Sequence, residues 1–284
     1  MPFTVSIDEV RANFPEYKII GPLTPSEQKA AFQVVDKDGN ELCLKIIAPS
    51  HSMDRLYREI LAMQSISHPN IVRLKEYTFS STGQQLRHYI IEEFVPGQDL
   101  SGKLGDGIIW PLPSVCDFFS RLSDGLTALE NVNVVHRDLK PSNIRVRPNG
   151  SPVIIDFGLA RHLEMPDLTN TSSGAAIGTP IYFAPEQFLG TKHDIDHRTD
   201  IFALGIIMYQ ALVGKHPFYL PRMTRKQLSD IVCGSIAHVS ADGFRALPQN
   251  LQVLLGRLLE KERGKRPNSA FQVAAILRKI GGAL

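Results

Sequence analysis

Two stretches carry side chains whose types and spacing could do chemistry together. The first runs His136-Arg137-Asp138-Leu139-Lys140-Pro141-Ser142-Asn143, and the second is Asp156-Phe157-Gly158 after a short apolar run. An aspartate and an asparagine five positions apart on a tight loop can face one space. There the carboxylate can accept a hydroxyl proton and the amide oxygen can ligate a divalent ion. Gly158 allows a sharp turn after Asp156, so this second carboxylate can reach the same ion. Spacing alone predicts a site for a metal ion and a phosphate.

The surrounding elements must position these groups. Residues 17–47 alternate and contain the turn signal Asp38-Gly39-Asn40, which predicts a hairpin between strands 31–35 and 42–47. Residues 52–65 place Leu56, Ile60 and Met63 at helical spacing, with Ser52 as a cap and Arg55, Arg58 and Glu59 between them. Strand-like runs 72–79 and 87–94 follow, and Pro96-Gly97 closes this region. Five strands and one helix are expected there. Beyond residue 98 longer helical patterns appear at about 114–130, 199–214, 224–233, 247–259 and 268–281. Short apolar runs at 132–135, 144–146 and 153–155, bounded by Pro141, Pro148, Asn149 and Gly150, leave loops that can hold chemistry. The fold class expected is α+β, a small β-rich lobe and a larger, mostly α lobe sharing a cleft. With 284 residues the chain is long enough for both.

Composition narrows the partners. Hydrophobic residues make up 43% and charged residues 21%, which suits a globular protein and excludes a disordered or fibrous one. A net charge of +2 gives no field that would gather nucleic acid or an anionic membrane. Cys43, Cys116 and Cys233 are far apart and show no CxxC pairing, so reduced thiols are expected rather than disulfides or zinc. The first residues carry charges where a signal peptide needs an apolar run, and no window reaches about 18 apolar residues, so a cytoplasmic location without a membrane anchor is expected.

The order of these motifs resembles the eukaryotic-type serine/threonine protein kinase family over about residues 17–277. The resemblance implies an N-terminal extension at 1–14 and a kinase domain at 15–284, with an N-lobe near 15–95, a hinge near 93–98 and a C-lobe near 99–284. It implies transfer of the γ-phosphoryl group of ATP to serine or threonine hydroxyls of a protein, with magnesium as the metal and manganese as a substitute. Asp138 resembles the catalytic-loop aspartate, Lys140 the lysine that contacts the γ-phosphate, and Asn143 and Asp156 the two metal ligands. Lys45, in Leu42-Cys43-Leu44-Lys45, resembles the ATP-binding lysine. A lysine in an apolar strand is costly when unpaired, and Glu59 is its expected partner. Gly178-Thr179-Pro180-Ile181-Tyr182-Phe183-Ala184-Pro185-Glu186 resembles the substrate-docking loop, with Thr179 in keeping with serine/threonine specificity. Asp200 resembles the buried aspartate that holds the catalytic loop, and Arg266 the arginine that pairs with Glu186. Between Asp156 and Glu186, the hydroxyls of Thr169, Thr171, Ser172 and Ser173 are phosphorylation candidates, autophosphorylation within 161–178 is expected, and Arg137 could pair with a phosphate there. Regulation is expected from that segment, the N-terminal residues or a separate partner; oligomeric state is left open.

Two features depart from the family. After Gly21 no glycine occurs before Gly39, and Pro22 and Pro25 lack amide donors, so phosphate contact is expected to be weaker or differently shaped, with Lys29 or Ser26 assisting. Counting along 89–95 puts Glu93 and Val95 at the hinge, where backbone groups would hold the adenine edge, and Glu92 just before it. Glu92 would then be solvated, protonated or paired with a cation; a one-residue slip of the register is an equal reading. A binding module without turnover and a phosphotransferase for small molecules are the alternatives.

Overall fold

The computed structural model describes residues 3–24, 29–48, 60, 64, 66–79, 88–156, 180–190, 195–234 and 242–283. The chain divides into two compact units, Met1–Pro96 and Gly97–Leu284. Of the helix expected over 52–65, only Ile60 and Gln64 fall among the described residues, and Ile60 is fully buried.

The first unit is built on a five-stranded antiparallel sheet in the order β1-β2-β3-β5-β4. Its strands are β1 (Lys18–Pro22), β2 (Lys29–Val35), β3 (Glu41–Ile47), β4 (Leu74–Phe79) and β5 (His88–Glu93). The turn between β2 and β3 has the chemistry its residues suggest. The Asp36 carboxylate accepts from the amides of Asp38 and Asn40 and from the Asn40 side chain, while Gly39 takes φ +83. Alternation then sorts the side chains. Phe32, Val34, Leu42, Leu44, Ile46 and Ile91 share one core, and Lys45 belongs to the opposite parity of β3.

A helix not expected from the sequence, α1 (Ile7–Asn13), covers that core. Ser6 caps it by accepting from the Glu9 amide. Val10 and Phe14 are fully or almost fully buried, and Phe14 meets Tyr89 edge-on with ring centroids 4.9 Å apart. The stretch read as an extension therefore supplies part of the first unit's core.

The second unit begins at Gly97, whose φ is +110 and where a Cβ would lie 2.0 Å from the Val146 carbonyl oxygen, so only glycine fits. A three-stranded sheet follows the order β6 (Gln98–Asp99), β7 (Ile144–Val146), β8 (Pro152–Ile154). The helices are α2 (Leu112–Glu130), α3 (Pro185–Leu189), α4 (His197–Val213), α5 (Arg225–Cys233), α6 (Asp242–Arg245), α7 (Gln249–Leu258) and α8 (Ala270–Gly281). Helix α4 is apolar on nearly every side, and it is accordingly buried along most of its length. It approaches α7 closely at Gly205, where a Cβ would sit 2.8 Å from the Leu258 Cβ. Of the three short apolar runs, 144–146 and 153–155 contribute β7 and β8, whereas 132–135 continues from a turn after α2. No helix among the described residues is long and apolar enough to cross a membrane. No disulfide joins Cys43, Cys116 or Cys233, all three of which are among the described residues.

Candidate active site

The β7–β8 hairpin brings two of the predicted residues together. Its turn contains Asn149 and Gly150, the latter at φ +84, and its register pairs Ile144 with Ile154. The residue before β7 and those after β8 consequently lie side by side, and the Ile155 amide donates to the Asn143 carbonyl at 2.9 Å. Asp156 comes next, in the left-handed region at φ +57, which aspartate tolerates better than most residues.

On the loop 136–143, the Asp138 carboxylate is held from two sides. Its Oδ2 accepts from Lys140 Nζ at 2.8 Å and from Asn143 Nδ2 at 3.2 Å, and the same Nδ2 donates to the Asp138 carbonyl at 2.8 Å. Asn143 is buried. With Nδ2 so committed, Oδ1 is the atom left to meet a cation. One amide oxygen and the nearby Asp156 carboxylate suit a hard divalent ion that completes its shell with water and phosphate oxygens. Among the described residues no cluster of three or more His, Cys, Asp or Glu forms an all-protein cage. The donor set fits a hard divalent cation on those terms.

The loop owes its shape to α4. Asp200 in the first turn of α4 is buried, and its two oxygens accept from the backbone amides of His136 at 2.7 Å and Arg137 at 2.9 Å. Burial pushes its carboxyl above the usual range, while the His136 ring, those two amides and the Arg137 guanidinium pull the other way. Arg137 can follow this path only in the left-handed region, at φ +63. Such strain is held where surrounding bonds over-determine it. His136 is fully buried, with Nδ1 accepting from the Asp138 amide at 3.3 Å and Nε2 against the Ile155 carbonyl at 3.1 Å, so one ring joins both motif loops.

Glu186 and Arg266 meet as a bidentate pair, at 2.7 and 2.9 Å. Thr199 donates to the same carboxylate at 2.8 Å, and Arg266 also donates to the carbonyls of Glu260, Lys261 and Arg198. The pair thereby ties α3 to α4 and to the loop before α8. Sequence reasoning missed the residue beside it. Gln187 accepts from the Ala184 amide at 3.1 Å and donates to the Arg137 carbonyl at 2.8 Å, linking α3 to the loop 136–143. Its place three residues after the cap of a helix is where Glu and Gln reach back to cap amides, and that signal was available. His216 was also missed. Its Nδ1 accepts from the Phe218 and Tyr219 amides at 3.0 and 2.9 Å and its Nε2 donates to the Ile181 carbonyl at 2.9 Å, pinning the segment that carries Tyr182.

Beside Lys140 lies a cavity of about 280 Å³, lined among others by Ser101, Leu104, Ser142, Tyr182 and Gln210. Burial holds the Tyr182 phenol up at about 12, with a hydrogen bond to Gln210 opposing that shift.

In the first unit, Lys45 forms a buried ion pair with Glu92, which selects the cation-paired reading of that residue. Glu93 ends β5, and its amide donates to the Arg73 carbonyl at 2.9 Å; Val95 is buried. Gly21 lies in β1, and a Cβ there would meet nothing within 4 Å, so the fold itself does not demand glycine at this position. Glu59, Thr169, Thr171, Ser172, Ser173 and Thr179 lie outside the described residues.

Comparison with known proteins agrees with this architecture. The family model for the protein kinase domain matches residues 28–277, and the chain belongs to that family. It is similar to the serine/threonine-protein kinase pkn2 of Myxococcus xanthus, 33% identical over 263 residues that cover 87% of this chain and 30% of that protein. Serine/threonine-protein kinase PknA of Mycobacterium tuberculosis is 32% identical over 63% of this chain and 42% of its own length. Human serine/threonine-protein kinase DCLK3 is 34% identical over 63% of this chain and 26% of its own length. The chain thus spans less than half the length of these relatives.

Proposed function

We propose that the chain is an ATP-dependent protein kinase domain that phosphorylates serine and threonine hydroxyls of protein substrates. The observation that carries this reading is the Asp138 carboxylate held between Lys140 and Asn143. A carboxylate so oriented accepts the proton of an incoming hydroxyl, and the neighbouring ammonium offsets charge that develops as the phosphoryl group moves. Asn143 and Asp156 would hold magnesium, which when bound neutralises phosphate oxygens. Lys45 supplies a cation for the nucleotide phosphates, and backbone groups near Glu93 and Val95 hold the base. The cavity beside Lys140 takes part of the acceptor polypeptide. Autophosphorylation falls on Thr169, Thr171, Ser172 or Ser173, and Arg137 receives the phosphate.

The test compares the purified chain with Asp138→Ala in ATP and magnesium, reading phosphoserine and phosphothreonine by mass spectrometry on the chain and on casein. Loss of a positioned general base lowers the rate about 10²–10⁴-fold. Labelling that persists unchanged in the variant removes Asp138 from its role, and a wild-type chain that binds nucleotide without labelling either protein overturns the reading.

A further inference from the structure

The register of β3 against β5 sets an arrangement that the catalytic motifs do not include. Lys45 faces Ile90 and Cys43 faces Glu92, so Lys45 and Glu92 are diagonal neighbours on one face of the sheet, within reach of long side chains. They form an ion pair through Lys45 Nζ and Glu92 Oε2, and the two residues are only 4% and 2% exposed. Glu92 Oε1 is buried and has no hydrogen-bond partner among the described residues. A carboxylate half satisfied in the interior depends on its one cation, because losing that cation would strand a buried charge. The ammonium has three donors, and one of them goes to Glu92.

We propose that Glu92 is a positioning residue for the phosphoryl transfer, holding Lys45 in place from within the sheet. In the kinase template the partner of this lysine sits on a helix whose placement controls activity. Here strand register supplies a carboxylate from a neighbouring strand, and a group held on a rigid strand is placed closely. The place of Lys45 is then set by the β3–β5 ladder more than by Glu59. This inference rests on the kinase reading above.

Steady-state kinetics with ATP and casein test it on Glu92→Gln, Glu92→Met and Glu59→Gln. Glu92→Gln is expected to lower kcat/KM for ATP at least 20-fold and to raise KM for ATP at least fivefold, with Glu59→Gln losing less on both. A merely structural role would reduce the active fraction and leave KM unmoved. Equal or higher kcat/KM in both Glu92 variants overturns the proposal, the higher value marking Glu92 as a restraint on Lys45, and so does a larger loss in Glu59→Gln. A second measurement stands apart from activity. In urea denaturation Glu92→Gln should lower the midpoint of the wild-type chain and raise that of Lys45→Met, where the carboxylate has lost its cation. If the wild-type chain transfers no phosphate, the kinase reading fails by itself; if this reversal of sign is absent, the pairing proposal fails.

Discussion

At the residue scale, the loop 136–143 shows how a few buried polar groups fix the carboxylate proposed to react. Both oxygens of Asp200 accept backbone amides of the loop, at His136 and Arg137. An amide in its place offers one acceptor oxygen and turns an NH₂ group toward an N–H, leaving a buried donor unpaired. Asp200→Asn is therefore expected to cost about 1–3 kcal/mol of stability. It should also lower kcat through a displaced Asp138, with KM for ATP little changed. Urea denaturation and initial rates on the same preparation check both parts, and an unaltered kcat in a destabilised variant would confine Asp200 to folding.

At the scale of elements, His216 fastens the loop after α4 to the Ile181 segment. Its Nδ1 already accepts two backbone amides, so protonation there would set three N–H groups against one another. Burial, with the Ile181 carbonyl opposing, lowers its pKa to about 4 from an ordinary 6.5. The unfolded chain therefore takes up the proton first as pH falls. The contribution to stability is complete above pH 6.5 and is lost progressively down to about pH 4. Between pH 7 and 5 the loss is about 2 kcal/mol. His216→Gln should flatten the dependence of the denaturation midpoint on pH by that amount, and parallel curves for the two proteins would refute the assignment.

At the scale of the whole molecule, two units with separate cores divide the work of folding. The first unit's sheet has one face covered by α1 and Phe14 and carries Lys45 and Glu92 on the other parity. Truncating a buried phenylalanine costs about 3–5 kcal/mol. Phe14→Ala should accordingly destabilise the first unit, and in hydrogen exchange β2, β3 and β5 should lose protection while α4 in the second unit keeps it. Loss spread evenly over both units would show that they unfold as one.

What the chain determined locally was legible in it directly. The motifs around Asp138 and Asp156 are short and contiguous, and their loops are bounded by apolar runs and turn residues, so a site for a metal ion and a phosphate could be read from spacing, whereas the pairing of β7 with β8 was not. The longer helices of the second unit announced themselves within about two residues because their apolar periodicity persists over several turns. Helix α1, with seven residues, is too short for periodicity to mark, and packing against the sheet is what explains it. The link from Gln187 to Arg137 spans 50 residues, and the pair of Lys45 with Glu92 spans 47. Composition could name three fates for Glu92, and only strand register chose the buried pair with Lys45. A side chain's partner across such a distance depends on which strands become neighbours and in what register, and tertiary packing sets both.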